Sequence, residues 1–100
     1  MSASPTRLEL LSPAKTPDIG ISAINHGADA VYIGGPSFGA RHHANNEMRE
    51  IERLVRHAHT YHARVFLTLN TILRDDELPR AQSLIHTAYD AGVDALIIQD

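Results

Sequence analysis

The side chains in this sequence that could do chemistry stand just after its apolar runs. Four such places can be read: Ser12-Pro13-Ala14-Lys15, the long stretch Gly34 to Asn45, Asn70-Thr71, and Gln99-Asp100. Arg41 lies in the second of these, and a guanidinium there suits bidentate binding of a carboxylate or phosphate, with a purely structural ion pair as the alternative. Asn70 could present its amide to a substrate or cap the following turn. Ser12 and Asp100 complete the candidate substrate-binding set. Glu9 differs from these, because it stands inside the apolar run Leu8-Glu9-Leu10-Leu11. A carboxylate in a strand either enters a polar interior or meets an apolar cover at a cost of several kcal/mol. Glu9 is therefore the candidate general acid/base or ligand-orienting group, the other reading being an acid paired with a Lys or Arg from elsewhere.

Other motifs are incomplete. Gly34 and Gly39 have the spacing of phosphate-loop glycines, but Ala40-Arg41 stands where Lys and Ser/Thr are needed, so these glycines more simply permit a tight turn. Seven histidines invite a metal reading. His59 and His62 are three apart and His42-His43 are adjacent, yet neither group has a carboxylate at motif spacing, and no metal is expected within these residues. Asp75-Asp76-Glu77 is most simply the acidic start of a helix. With no cysteine, the chain holds no thiol nucleophile, thiolate metal site or disulfide.

The elements that must position these residues show in a recurrence. Gly27-Ala28-Asp29-Ala30-Val31-Tyr32-Ile33 is echoed by Gly92-Val93-Asp94-Ala95-Leu96-Ile97-Ile98. Glycine at a helix C′ position followed by a continuous apolar run reads as a helix stop and then a strand buried on both faces. A third copy without glycine, Tyr61-His62-Ala63, leads into Arg64–Asn70, and the first strand is expected at Leu8–Leu11. Between them lie three helical stretches. Thr16 caps the first, with Pro17 at its first position and an interior Gly20 that weakens it. Asn46–Tyr61 carries Met48, Ile51, Leu54, Val55 and Ala58 on one stripe, with pairs among Glu50, Glu52, Arg53 and Arg56 opposite. Asp76–Ala91 places Leu78, Ala81, Ile85 and Ala88 inward, and tolerates Pro79 in its first turn.

The resulting order is βαβαβαβ, an α/β fold with a parallel sheet, expected to be the first half of a TIM-like (β/α)8 barrel or part of an open doubly wound sheet. In either, loops after the strand C-termini build the site. Residues 1–6 are expected to be a disordered leader and 7–100 the N-terminal part of a barrel domain, truncated after its fourth strand. The leader lacks the charged and apolar regions of a signal peptide, and no apolar run reaches membrane-spanning length, so a cytoplasmic location and no membrane partner are expected. A formal charge of −3 gives no basic footprint for nucleic acid. Oligomeric state is not legible.

Leu8-Glu9-Leu10-Leu11-Ser12-Pro13-Ala14, His26–Gly35, Gly39-Ala40-Arg41, Leu69–Leu73, Asp75–Leu78 and Gly92–Asp100 together resemble the collagenase-like Peptidase family U32, most closely its RNA-hydroxylating branch. The resemblance runs from about Arg7 to the last residue. It implies a much longer parent enzyme with a barrel-like N-terminal domain, hydroxylation of a ribosomal RNA cytidine, an iron–sulfur cluster held by cysteines elsewhere, and prephenate as a small anionic co-substrate that Arg41 could meet. Many relatives carry Gly where this chain has Lys15. The alternatives are peptide hydrolysis, for which no nucleophile and base pair is visible, and an inert scaffold fragment.

Overall fold

The computed structural model describes residues 9–35, 41–70 and 78–99, with the side chains of 41–47, 70, 78, 80, 81 and 99 excepted. Along the chain run β1 (Leu11–Ala14), α1 (Pro17–Asn25), β2 (Ala30–Gly34), α2 (Arg41–Thr60), β3 (Arg64–Asn70), α3 (Leu78–Ala91) and β4 (Ala95–Gln99). The strands form one sheet in the order β1-β2-β3-β4, every pair parallel. The expected α/β alternation is therefore present. Spatial order follows sequence order, so the described strands contain no reversal of the kind that marks a doubly wound sheet.

Strand alternation divides the sheet into two faces. Val31, Ile33, Val65, Leu67 and Leu69 are buried with Ile24, Met48, Ile51, Leu54, Val55, Ala58 and Ala88 of the helices in one apolar cluster. The opposite face carries Leu11, Tyr32 and Ile97, all exposed. The α2 stripe read from the sequence is the stripe that is buried. On its other side Glu50–Arg53 and Glu52–Arg56 pair as their spacing requires. Arg53 also reaches Asp18 at 2.6 Å, tying α2 to the first turn of α1. Hydrogen bonds from Glu50, then Asp18, raise this guanidinium beyond its already high range.

Thr16 caps α1, its hydroxyl accepting the Ile19 N–H at 3.2 Å, with Pro17 in the first helical turn. Gly20 has a packing reason. A Cβ there would come 2.9 Å from Leu54 Cδ1 and 3.3 Å from Val31 Cγ1, so its absence lets α1 settle against both.

Each helix ends in the same six-residue turn. In α1 Ala28 N–H returns to Ala23 C=O and Gly27 N–H to Ile24 C=O; in α2 Ala63 returns to Ala58 and His62 to His59; in α3 Val93 returns to Ala88 and Gly92 to Tyr89. This double bond pattern requires a left-handed C′ residue. Gly27, His62 and Gly92 occupy it with φ of 105°, 60° and 90°. The third copy, which lacks glycine, thus forms the full turn with a histidine bearing the backbone cost.

Two expectations are corrected. β1 lies at Leu11–Ala14, three residues beyond the predicted Leu8–Leu11, because Ser12 and Ala14 pair with the buried Val31 and Ile33. Pro13 is tolerated in it because β1 is at the sheet edge, where a missing N–H need not break a ladder. Helix α2 begins at Arg41 rather than Asn46, so Arg41, His42 and His43 belong to its first turns and not to a loop. The expected helix start at Asp76 and the leader 1–6 lie outside the described residues.

His62→Gly is expected to raise stability by roughly 0.5–1 kcal/mol by removing the left-handed penalty, net of added unfolded-state entropy. Gly92→Ala is expected to lower it by about 1–2 kcal/mol, because the added Cβ meets both a positive φ and Val55 Cγ1 at 3.2 Å. Urea midpoints of the two variants should therefore move in opposite directions, and a parallel shift would contradict the shared-turn geometry.

Candidate functional site at the strand C-termini

A parallel sheet has two unlike ends, and the described residues build them differently. At the N-terminal end acids serve the backbone. Asp94 donates its N–H to Val65 C=O at 2.8 Å. Its carboxylate accepts the Val65 N–H at 2.7 Å and contacts His59 Nε2 at 3.0 Å. Asp29 repeats the clamp one repeat earlier, donating N–H to Leu10 C=O at 2.9 Å and accepting Leu10 N–H at 2.9 Å. These two aspartates, the recurrent acid of the Gly-x-Asp-Ala motif, had no expected role. Their signal lies in the repetition, but the role needs the neighbouring strand to be known.

Glu9 belongs to this end. It precedes β1 and is exposed, and its carboxylate accepts from Arg64 at 2.7 Å, the pair spanning from the start of β1 across to the start of β3. The Arg64 guanidinium also lies 5.5 Å from the Phe66 ring centroid. The apolar run suggests Glu9 inside a strand; the structure places it outside, with an arginine partner.

The other end gathers different groups. β1 finishes at Ala14 opposite Ile33, so Lys15 and Thr16 come level with Gly34. Gly34 pairs with Thr68, and Asn70 with Gln99. Gly35 N–H donates to Thr68 C=O at 2.8 Å, carrying the β2–β3 ladder to the rim. A Cβ at Gly35 would meet Leu69 Cδ2 at 2.5 Å, so this glycine serves close approach rather than a tight turn. Behind the rim, Lys15, Thr16, Pro17, Ile33, Gly34, Glu50 and Ile51 line a cleft of about 400 Å³ between the β1–α1 turn and α2.

Of the four residues expected at one rim, Asn70 ends β3 there and Arg41 starts the helix that follows β2. Ser12 is not at the rim. It is half-buried inside β1, and its hydroxyl donates to Pro13 C=O at 3.3 Å. Asp100 lies outside the described residues. Lys15, which had no expected role, takes the place assigned to Ser12, and the three-residue shift of β1 is the reason. Among the described residues no group of three or more His, Cys, Asp or Glu could hold a metal ion. Besides His59 on Asp94, two described histidines are engaged: His26 Nδ1 contacts Ser22 C=O at 2.7 Å, and His57 Nε2 contacts Asn25 Oδ1 at 2.7 Å.

Comparison with known proteins gives this geometry relatives. The model of Peptidase family U32 matches residues 16–100. The chain is 62% identical over its whole length to the 23S rRNA 5-hydroxycytidine C2501 synthase of Escherichia coli, of which it covers 15%. It is 33% identical to tRNA hydroxylation protein P1 of Bacillus subtilis, over 92% of this chain and 22% of that protein. It is 28% identical to a collagenase of Porphyromonas gingivalis, over 92% of this chain and 23% of that protein. The chain thus spans less than a quarter of each of these relatives. No solved structure matches it significantly.

Asp94→Ala should cost about 1–3 kcal/mol, because it strands the part-buried Val65 N–H, while Asp94→Asn, which keeps an acceptor oxygen, should cost less. Glu9→Gln removes an exposed ion pair worth at most about 1 kcal/mol and should leave turnover unchanged. Chemical denaturation and steady-state rates of the whole protein check both, and a collapse of turnover in Glu9→Gln at unchanged stability would restore Glu9 as a catalytic group.

Proposed function

This chain belongs to Peptidase family U32, and on that footing we propose that it forms the N-terminal barrel portion of an RNA hydroxylase acting on a cytidine of 23S ribosomal RNA. The observation that carries the reading is the 62% identity over all 100 residues to the E. coli synthase, against 28% to the collagenase. Identity to a tRNA hydroxylation protein supports the same class of chemistry on a second kind of RNA. In this reading the uncovered sheet face bearing Leu11, Tyr32 and Ile97 becomes the inner wall of a closed (β/α)8 barrel. The rim of Lys15, Gly34, Gly35 and Asn70 then faces the substrate. Arg41 remains the candidate for a small anionic co-substrate such as prephenate. Likeness to RNA-modifying relatives favours a cytoplasmic location; among the described residues no helix is long and apolar enough to cross a membrane.

An iron–sulfur cluster does not fit these residues. Cluster ligation needs thiolates and the 100 residues contain no cysteine, so any such cluster would be held by other parts of the protein. What this chain supplies is binding and positioning. Peptide hydrolysis, the second reading that the family name raises, finds less support: the Ser12 hydroxyl donates to Pro13 C=O, and no described histidine contacts a serine hydroxyl.

Deleting the gene for the whole protein should abolish 5-hydroxycytidine in 23S rRNA, as read by mass spectrometry of nuclease digests, and re-expression should restore it. Unchanged hydroxycytidine together with cleavage of gelatin by the purified protein would overturn the proposal in favour of a peptidase.

A further inference from the structure

A protein that handles RNA needs positive charge where the RNA lies, and this chain has a formal charge of −3. Any charge this chain contributes must therefore be local, and the ion pairs show which cations are already engaged. Arg53 is held by Asp18 and Glu50, Arg56 by Glu52, and Arg64 by Glu9. Among the described side chains two cations remain without a carboxylate partner, Lys15 and Arg49. They lie in different places. Arg49 lines a groove between α2 and α3 together with Glu52 and Asp90, on the outer helical layer. Lys15 is exposed at the C-terminal end of β1, level with Gly34, and lines the rim cleft. The one acid among the described residues lining that cleft, Glu50, accepts both the Nε and an Nη of Arg53, so its charge is already answered.

We propose that Lys15 is a substrate-binding residue of the rim, its ammonium engaging a backbone phosphate of the RNA as the target nucleotide is presented to the strand C-termini. This rests on the hydroxylase reading above and adds to it a contact and a chemistry. A phosphodiester is favoured over a small co-substrate because the ammonium is exposed at the rim and not enclosed with polar partners that would fix a small anion's orientation. A lysine suits such a contact, being a compact charge on a flexible stem that follows a backbone without demanding bidentate geometry. The α1 N-terminus beside it contributes little, since Asp18 already provides a carboxylate in its first turn.

The test uses the whole protein and an in vitro transcript of 23S rRNA spanning the modified cytidine, with affinity measured by fluorescence anisotropy across a salt series. For Lys15→Ala the expected result is weaker binding and a log K against log [salt] slope shallower by about 0.7–0.9, the change that follows when one fewer phosphate is neutralised. Lys15→Arg should retain the wild-type slope, and the thermal midpoints of both variants should match wild type, since the side chain is exposed. Wild-type affinity and slope in Lys15→Ala would overturn the inference while leaving the hydroxylase reading intact. A raised KM for a small anionic co-substrate with unchanged RNA binding would overturn it equally. Failure of the wild-type protein itself to bind the transcript would instead bring down the reading on which the inference rests.

Discussion

The apolar residues of β2 and β3 have to leave water, and the helices that follow each strand are what covers them. Val31, Ile33, Val65 and Leu67 are at most 3% exposed, packed under α1, α2 and α3 with Leu54 at the centre. A single Leu54→Ala at such a position costs several kcal/mol in general, a large share of a domain's margin. Everything else follows from satisfying that burial with short connections. Each helix returns the chain to the same end of the sheet, so the strands come out parallel and in sequence order, and their C-terminal ends collect along one rim.

The two ends of the sheet then divide the work. At the N-terminal end the charged groups are consumed by structure: Asp29 and Asp94 exchange paired hydrogen bonds with the backbone of Leu10, just before β1, and of Val65 in β3, and Glu9 is occupied by Arg64. At the C-terminal end glycine and small polar residues keep the strands close, while Lys15 stands unpaired among the described side chains. Stability at one end and recognition at the other is the general arrangement of parallel α/β folds. Here it can be seen in which carboxylates have partners.

How much of this the sequence disclosed depended on the kind of signal. The α2 stripe, the Thr16 cap, the β3 boundaries and the two glycine helix stops were legible because local periodicity and backbone sterics determine them. The position of β1 was not. Its apolar run begins before the strand, and only pairing with Val31 and Ile33 selects Leu11–Ala14. That shift carried Ser12 into the sheet and brought Lys15 to the rim. The start of α2 was hidden for a similar reason, because Arg41 to Asn45 lacks the apolar spacing that announces a helix. His62 adopting glycine's conformation, and Asp29 and Asp94 acting as clamps, are tertiary facts that repetition in the sequence hinted at without explaining.

Relatives named for RNA hydroxylation and a relative named as a collagenase are all similar to this chain in sequence, so family membership alone does not choose the chemistry. The central claim is that RNA meets the protein at the strand C-termini. Photo-crosslinking of the whole protein to 23S rRNA, the proposed substrate, followed by mass spectrometric mapping of the adducted peptides, tests this most directly. The account predicts adducts on peptides that contain Lys15, Gly34–Gly35 and Asn70. Adducts confined to the opposite end, on peptides bearing His26, Tyr61 and Arg64, would contradict it.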